Sequence, residues 1–116
     1  MSLAFGNLFD ALPSLLEEGL HEESVESLAE TRASRIERIV STGQASPEGF
    51  WYDQETDELV VLLRGAASLE IAGRADPLDM APGGWVLLPA HCRHRVARTS
   101  EDEPTLWLAV HFPPAT

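Results

Sequence analysis

Two histidines, His91 and His94, lie close together in the run Gly83 to Val96, which also holds a turn, a short apolar stretch and a proline corner. Imidazole is the side chain most readily turned to proton transfer or metal ligation, so chemistry is looked for here first. Pro82-Gly83-Gly84 signals a turn, because Gly supplies positive φ and Pro presets its own. The apolar Trp85 to Leu88 that follows is strand length, and Pro89 ends it. On the next strand, alternation puts His94, Val96 and Arg98 on one face and Arg93, Arg95 and Ala97 on the other. A site needs donors converging on such a face from separate strands, and neutral imidazole with carboxylate suits Zn, Mn, Fe or Ni.

Gly83, five residues, Pro89 and then His94 resembles the second motif of the cupin family, G-x5-P-x-G-x2-H-x3-N. Its second Gly is His91 here, and its terminal Asn is Arg98. The first cupin motif, G-x5-H-x-H-x3-4-E-x6-G, is matched in part by Glu58, six residues and Gly65. Both histidines expected before the Glu are absent. Depending on the gap chosen, Tyr52 and Gln54 or Trp51 and Asp53 stand in their places. The resemblance spans Ser34 to Phe112, with the two half-matches in the family's order.

That resemblance implies a divalent transition metal, Zn, Mn, Fe or Ni, bound by Glu58 and His94 inside a barrel. Asp53, Gln54 or Tyr52 would complete the set, with His91 in reserve. His91 with His94 and Glu58 would give two imidazoles and one carboxylate. It nevertheless stands where the family has a turn glycine, and His tolerates positive φ, so an outward-pointing turn residue is expected. His111 faces the pocket or its back with even odds. Arg98, on the His94 face, is placed to hold an anionic group, although Arg93, Arg95 and Arg98 in so acidic a chain are expected to pair with carboxylates.

The elements that must position these groups are short strands punctuated by Gly and Pro. Ser34 to Ser41 reads as a strand, Phe50 to Gln54 as a second, and Glu55-Thr56-Asp57 as the turn after it. Leu59 to Leu63 is continuously apolar, as in a strand buried on both faces or at a subunit contact. Ala66 to Ala72 alternates, Leu78 to Met80 is another short strand, and Thr105 to Phe112 closes the chain ahead of Pro113-Pro114. The fold class expected is all-β, a cupin-like antiparallel barrel or jelly roll. A partly helical N-terminal arm, residues 1–33, precedes the barrel, residues 34–116, within one structural domain. In that arm Ser14-x-x-Glu17 resembles a capping box and Gly19 a helix stop. Helix or loop is expected to about Thr31. His21, among Glu18, Glu22, Glu23 and Glu26, is assigned to a solvated acidic face.

At 116 residues the chain supports one domain with a core of its own. Its net charge of −11, from 19 acidic and 8 basic residues, works against nucleic acid and anionic membranes as partners. No stretch reads as a bilayer span or a cleavable leader, so a cytoplasmic location is expected. The single Cys92 has no internal disulfide partner and reads as a small apolar filler.

Two functions follow. In the first, the barrel binds a metal and a polar small molecule, Glu58 or Tyr52 moving protons in an isomerase, lyase or dioxygenase reaction. In the second, a non-catalytic barrel that has lost its metal holds a small ligand. A homodimer is expected in either case, from the doubly apolar Leu59 to Leu63 strand and the dimers common among cupins.

Overall fold

The structure is a computed structural model and describes residues 3–12 and 22–114. Eight strands form two sheets: β1 (Ser24–Glu30), β2 (Arg35–Ser41), β3 (Asp57–Arg64), β4 (Ala67–Ile71), β5 (Leu78–Met80), β6 (Trp85–Leu88), β7 (His94–Thr99) and β8 (Thr105–Phe112). The larger sheet runs β1-β2-β8-β3-β6 and the smaller β5-β4-β7, with antiparallel pairing throughout. The all-β jelly-roll expectation holds. No helix of the described residues is long and apolar enough to cross a membrane.

The strict alternation of β3 explains the core. Glu58, Val60 and Leu62 are buried while Leu59, Val61 and Leu63 are half-buried, so one face points between the sheets and the other outward. Val60 and Leu62 meet Ala67, Leu69, Met80, Leu88 and Trp107 in the main cluster. On the outer side, Leu8 and Leu12 of the N-terminal segment cover Val40, Leu106 and Leu63. Arg38 ties that segment down by donating from Nη1 to the carbonyls of Leu8, 2.9 Å, and Asp10, 2.6 Å. The outer face of Leu59 to Leu63 is therefore only partly covered, and Leu63 is the residue the segment reaches.

Two sequence expectations are corrected. Residues 24–30 form strand β1, not helix or loop, so the sheet takes in residues assigned to the arm. Their apolar pattern fits either period. The free edge of β2 decides, pairing from Ser24↔Val40 to Glu30↔Arg35 with a bulge between Ser27 and Ala29. The helical part of the arm is not seen among the described residues. Ser14, Glu17, Gly19 and His21 lie outside them.

The second correction concerns Phe50 to Gln54, which is not a strand. It touches β7 through one isolated bridge, Tyr52↔His94. Upstream, Ser46 N–H donates to the Val96 carbonyl and its hydroxyl accepts from Val96 N–H, both at 2.9 Å. Between these contacts Pro47 has no N–H to give and Gly49 takes φ 79°, so no ladder runs through. High β-propensity in the aromatic pentad is overridden by the break just before it.

Candidate functional site

The inner face of the larger sheet delivers the polar residues. Register places Arg35 of β2 and Glu58 of β3 on either side of His111 in β8, with Glu37 opposite Ala109 one step along the same face. From the smaller sheet comes His94, the first residue of β7, and from the loop before β3 come Tyr52 and Gln54. Together with Glu23, just ahead of β1, these groups line a cavity of about 230 Å³ whose apolar wall includes Ile39, Val60 and Trp107.

Glu58 is the centre of the arrangement. It is 8% exposed, its Oε1 lies 3.6 Å from His94 Nε2 and its Oε2 lies 3.6 Å from His111 Nε2. These spacings are ion-pair contacts, too long for hydrogen bonds. His94 donates from Nδ1 to the Cys92 carbonyl at 2.9 Å, which aims Nε2 into the cavity. His111 Nε2 is 3.2 Å from Glu37 Oε1, so that nitrogen carries the proton, and its buried Nδ1 has no hydrogen-bond partner. Arg35 Nε faces Glu37 Oε2 at 3.0 Å but off hydrogen-bond alignment. Behind this layer, Trp107 Nε1 donates to Ser41 Oγ at 3.1 Å, and Ser41 donates to Glu23 Oε2 at 3.0 Å.

The electrostatics follow from burial and crowding of carboxylates. For His94, burial acts to lower the pKa, but the Glu58 carboxylate and the Cys92 carbonyl outweigh it and the net direction is upward. Glu23 is raised by burial, against the Ser41 hydrogen bond and with help from Glu37. Tyr52 is raised by burial and then by the negative charges of Glu23, Glu58 and Glu37, which keeps its phenol protonated at neutral pH.

Of the residues singled out in the sequence, the structure brings together Glu58, His94, Tyr52 and Gln54 around the cavity. It does not bring Asp53 or His91 to them. Asp53 Oδ1 pairs with His91 Nδ1 at 2.8 Å, with both side chains more than half exposed. Strand-like parity in the loop turns Tyr52 and Gln54 inward and Asp53 outward, and His91 sits at φ 65° in the turn where its motif position calls for Gly. Arg98 is also corrected. The ladder shifts between Ser68↔Arg98 and Leu69↔Val96, so Ala97 is an extra residue and Arg98 turns to solvent while Thr99 is buried. His111 resolves inward. Glu37, Glu23 and Arg35 were not singled out from sequence; the alternation of Arg35, Glu37 and Ile39 against Ile36, Arg38 and Val40 was the one available signal.

The expected metal set is not assembled. Among the described residues no three His, Cys, Asp or Glu side chains converge in a way that could hold an ion. The donors answer each other instead, with one imidazole to each Glu58 oxygen and Glu37 shared between His111 and Arg35. The residues present do not fit a resident transition metal.

No family model and no curated protein matches the chain. Among solved structures, a protein of Ralstonia eutropha JMP134, provisionally named a mannose-6-phosphate isomerase, is 49% identical. The match covers 96% of this chain and 99% of that one with a TM-score of 0.90. A cupin superfamily protein of Desulfitobacterium hafniense DCB-2 matches at 19% identity over 88% of this chain and 87% of its own, TM-score 0.69. An RmlC-like cupin with a double-stranded β-helix fold from Methanocaldococcus jannaschii matches at 16% over 97% and 92%, TM-score 0.70. With the barrel, the order of its two motif remnants and these neighbours in agreement, the chain has the cupin double-stranded β-helix fold and belongs to one family with the Ralstonia protein.

Proposed function

We propose that this chain binds a small polar molecule in the barrel cavity and moves a proton on it, with Glu58 as the acid–base group. The observation that carries the reading is the seating of Glu58. A buried carboxylate with each oxygen facing a different buried imidazole stands at the wall of a cavity, where its proton exchanges with an occupant sooner than with bulk water. Glu58 and the Cys92 carbonyl raise the pKa of His94, so its imidazole takes up a proton more readily than a free one. Tyr52, stacked on His94, offers a phenol proton to an oxygen on the occupant. Removal of a proton by Glu58 and return of one by Tyr52 or His94 is isomerase or lyase chemistry. The provisional name of the Ralstonia relative is that of an isomerase, a class built on such transfers. The fold itself hosts many reactions and does not choose among them.

A non-catalytic barrel is the second reading, favoured by one observation: the acid–base groups already have protein partners, Glu58 two imidazoles, Glu37 Arg35 and His111, and Glu23 Ser41. Incubation in deuterium oxide with a panel of small polyols, aminopolyols and hydroxycarbonyl compounds separates the two. Proton transfer puts solvent deuterium on carbon of a bound compound, and Glu58→Gln abolishes incorporation while binding persists. Binding without incorporation across the panel selects the non-catalytic barrel.

A further inference from the structure

Resting on the reading that the barrel cavity binds a small molecule, we infer that its occupant is an organic cation, a compound bearing an ammonium group, and not a phosphorylated one. The cavity holds more carboxylates than cationic side chains. Three carboxylates, Glu23, Glu37 and Glu58, line it against one guanidinium, Arg35, which is 43% exposed and already faces Glu37. The proton on His94 Nδ1 is committed to the Cys92 carbonyl. The Trp107 indole N–H is committed to Ser41.

An independent observation points to a polar occupant. His111 is 4% exposed and lines the cavity, and while its Nε2–H is directed to Glu37 its Nδ1 is buried without a partner. Arg35 Nε, from another residue of the cavity wall, is likewise buried without an aligned partner. A buried polar atom without a partner is a rare and costly feature, and a polar occupant removes the cost. An ammonium supplies both the N–H groups and the charge that three carboxylates face. Trp107, its N–H already used, and Tyr52 add ring surface of the kind that attracts cations. At about 230 Å³ the space is below that of an ordinary drug-sized pocket, so the occupant is a small amine with an apolar side to lie against Ile39, Val60 and Trp107. A phosphate group brings close to two negative charges into a cavity that three carboxylates already line.

The test is calorimetric titration with ethanolamine against its neutral counterpart ethylene glycol, with tetramethylammonium, and with mannose against mannose 6-phosphate, followed in parallel by the imidazole resonances of His94 and His111. Ethanolamine is expected to bind about tenfold tighter than ethylene glycol, and mannose 6-phosphate more weakly than mannose. Glu37→Gln and Glu23→Gln weaken ethanolamine binding about tenfold. Glu103→Gln, at an exposed ion pair with Arg64, leaves it unchanged. Circular dichroism confirms that each variant is folded. Equal affinity for ethanolamine and ethylene glycol, tighter binding of mannose 6-phosphate than of the ammonium probes, or no shift of the His111 resonances by either ammonium at millimolar concentration overturns the inference. The proton-transfer reading fails separately. Ammonium binding with no deuterium incorporation into any bound compound removes the catalysis and leaves the ligand class standing. Incorporation into a tightly bound phosphorylated compound does the reverse.

Discussion

Tyr52 and His94 are joined twice, through the backbone and through their rings. Tyr52 N–H donates to the His94 carbonyl at 2.7 Å and His94 N–H returns a bond to the Tyr52 carbonyl at 3.2 Å. Their rings stack with centroids 5.2 Å apart and planes 22° from parallel. Phe50 meets Tyr52 edge-on at 4.9 Å, so the aromatic loop closes one side of the cavity and fixes the plane of the imidazole that faces Glu58. Tyr52→Phe is expected to keep this stack and the fold while removing the phenol proton. Tyr52→Ala is expected to cost about 1–3 kcal/mol in urea denaturation. Equal stability of the Ala and wild-type proteins would show that the stack positions nothing.

The charge state of His94 depends on Glu58. In wild type its pKa is raised above the ordinary value of 6.5, because the Glu58 carboxylate and Cys92 carbonyl outweigh burial. A group whose pKa is raised on folding gives stability that is complete below its unfolded pKa and is lost as pH rises through the folded one. The His94 contribution is therefore full below about pH 6.5 and fades above it. Glu23, raised from 4.5, acts with the same sign at lower pH. In Glu58→Gln the imidazole loses its carboxylate and burial dominates, so the His94 resonance is expected to titrate below 6.5. Titration unchanged by the substitution would mean that Glu58 does not set it.

Metal content checks the ligand arrangement directly. Elemental analysis of purified wild-type protein is expected to find far less than one equivalent of Zn, Mn, Fe or Ni, with chelator leaving the melting temperature where it was. One equivalent retained by wild type and lost in both Glu58→Ala and His94→Ala would restore the metal-bound barrel.

Gly65 ends β3 with φ 91°, and a Cβ there would lie 2.7 Å from the Thr105 Cα and 2.8 Å from the Pro104 carbonyl oxygen. Both obstacles are backbone and neither can swing aside. Gly65→Ala is expected to destabilise by about 3 kcal/mol or more, since overpacking and positive φ each cost about 1–3 kcal/mol. A melting temperature within a degree or two of wild type contradicts this.

A second copy of the chain is the expected occupant of the outer face of the larger sheet. On edge strand β6, Trp85 is 67% and Leu87 48% exposed, and register sets them beside half-buried Val61 and Leu59 of β3. An apolar patch continuous with an open edge suits a two-fold contact between identical surfaces. Solution scattering is expected to give a dimer for wild type and a monomer for Trp85→Glu. A wild-type monomer at micromolar concentration removes the contact.

What the sequence determined by itself is what local pattern and spacing encode. The apolar run Leu59 to Leu63, the alternation in Ala66 to Ala72 and Thr105 to Phe112, and Gly and Pro between strands pointed to an all-β jelly roll, and the motif remnants around Glu58 and His94 named two residues that do share the cavity. The positive φ at His91 was legible too, from a glycine position filled by a residue that tolerates it. Tertiary structure decided the rest, because strand pairing and face depend on which backbone lies alongside. The open edge of β2 made residues 24–30 a strand, the extra residue at Ala97 turned Arg98 out to solvent, and the break at Pro47 and Gly49 left Tyr52 with a single bridge. Most of the site itself belongs to this second class. His111, Glu37 and Arg35 share the cavity wall with Glu58 only because β8 lies between β2 and β3, and the β2–β8 register is set across more than seventy residues of chain that no spacing within either strand records.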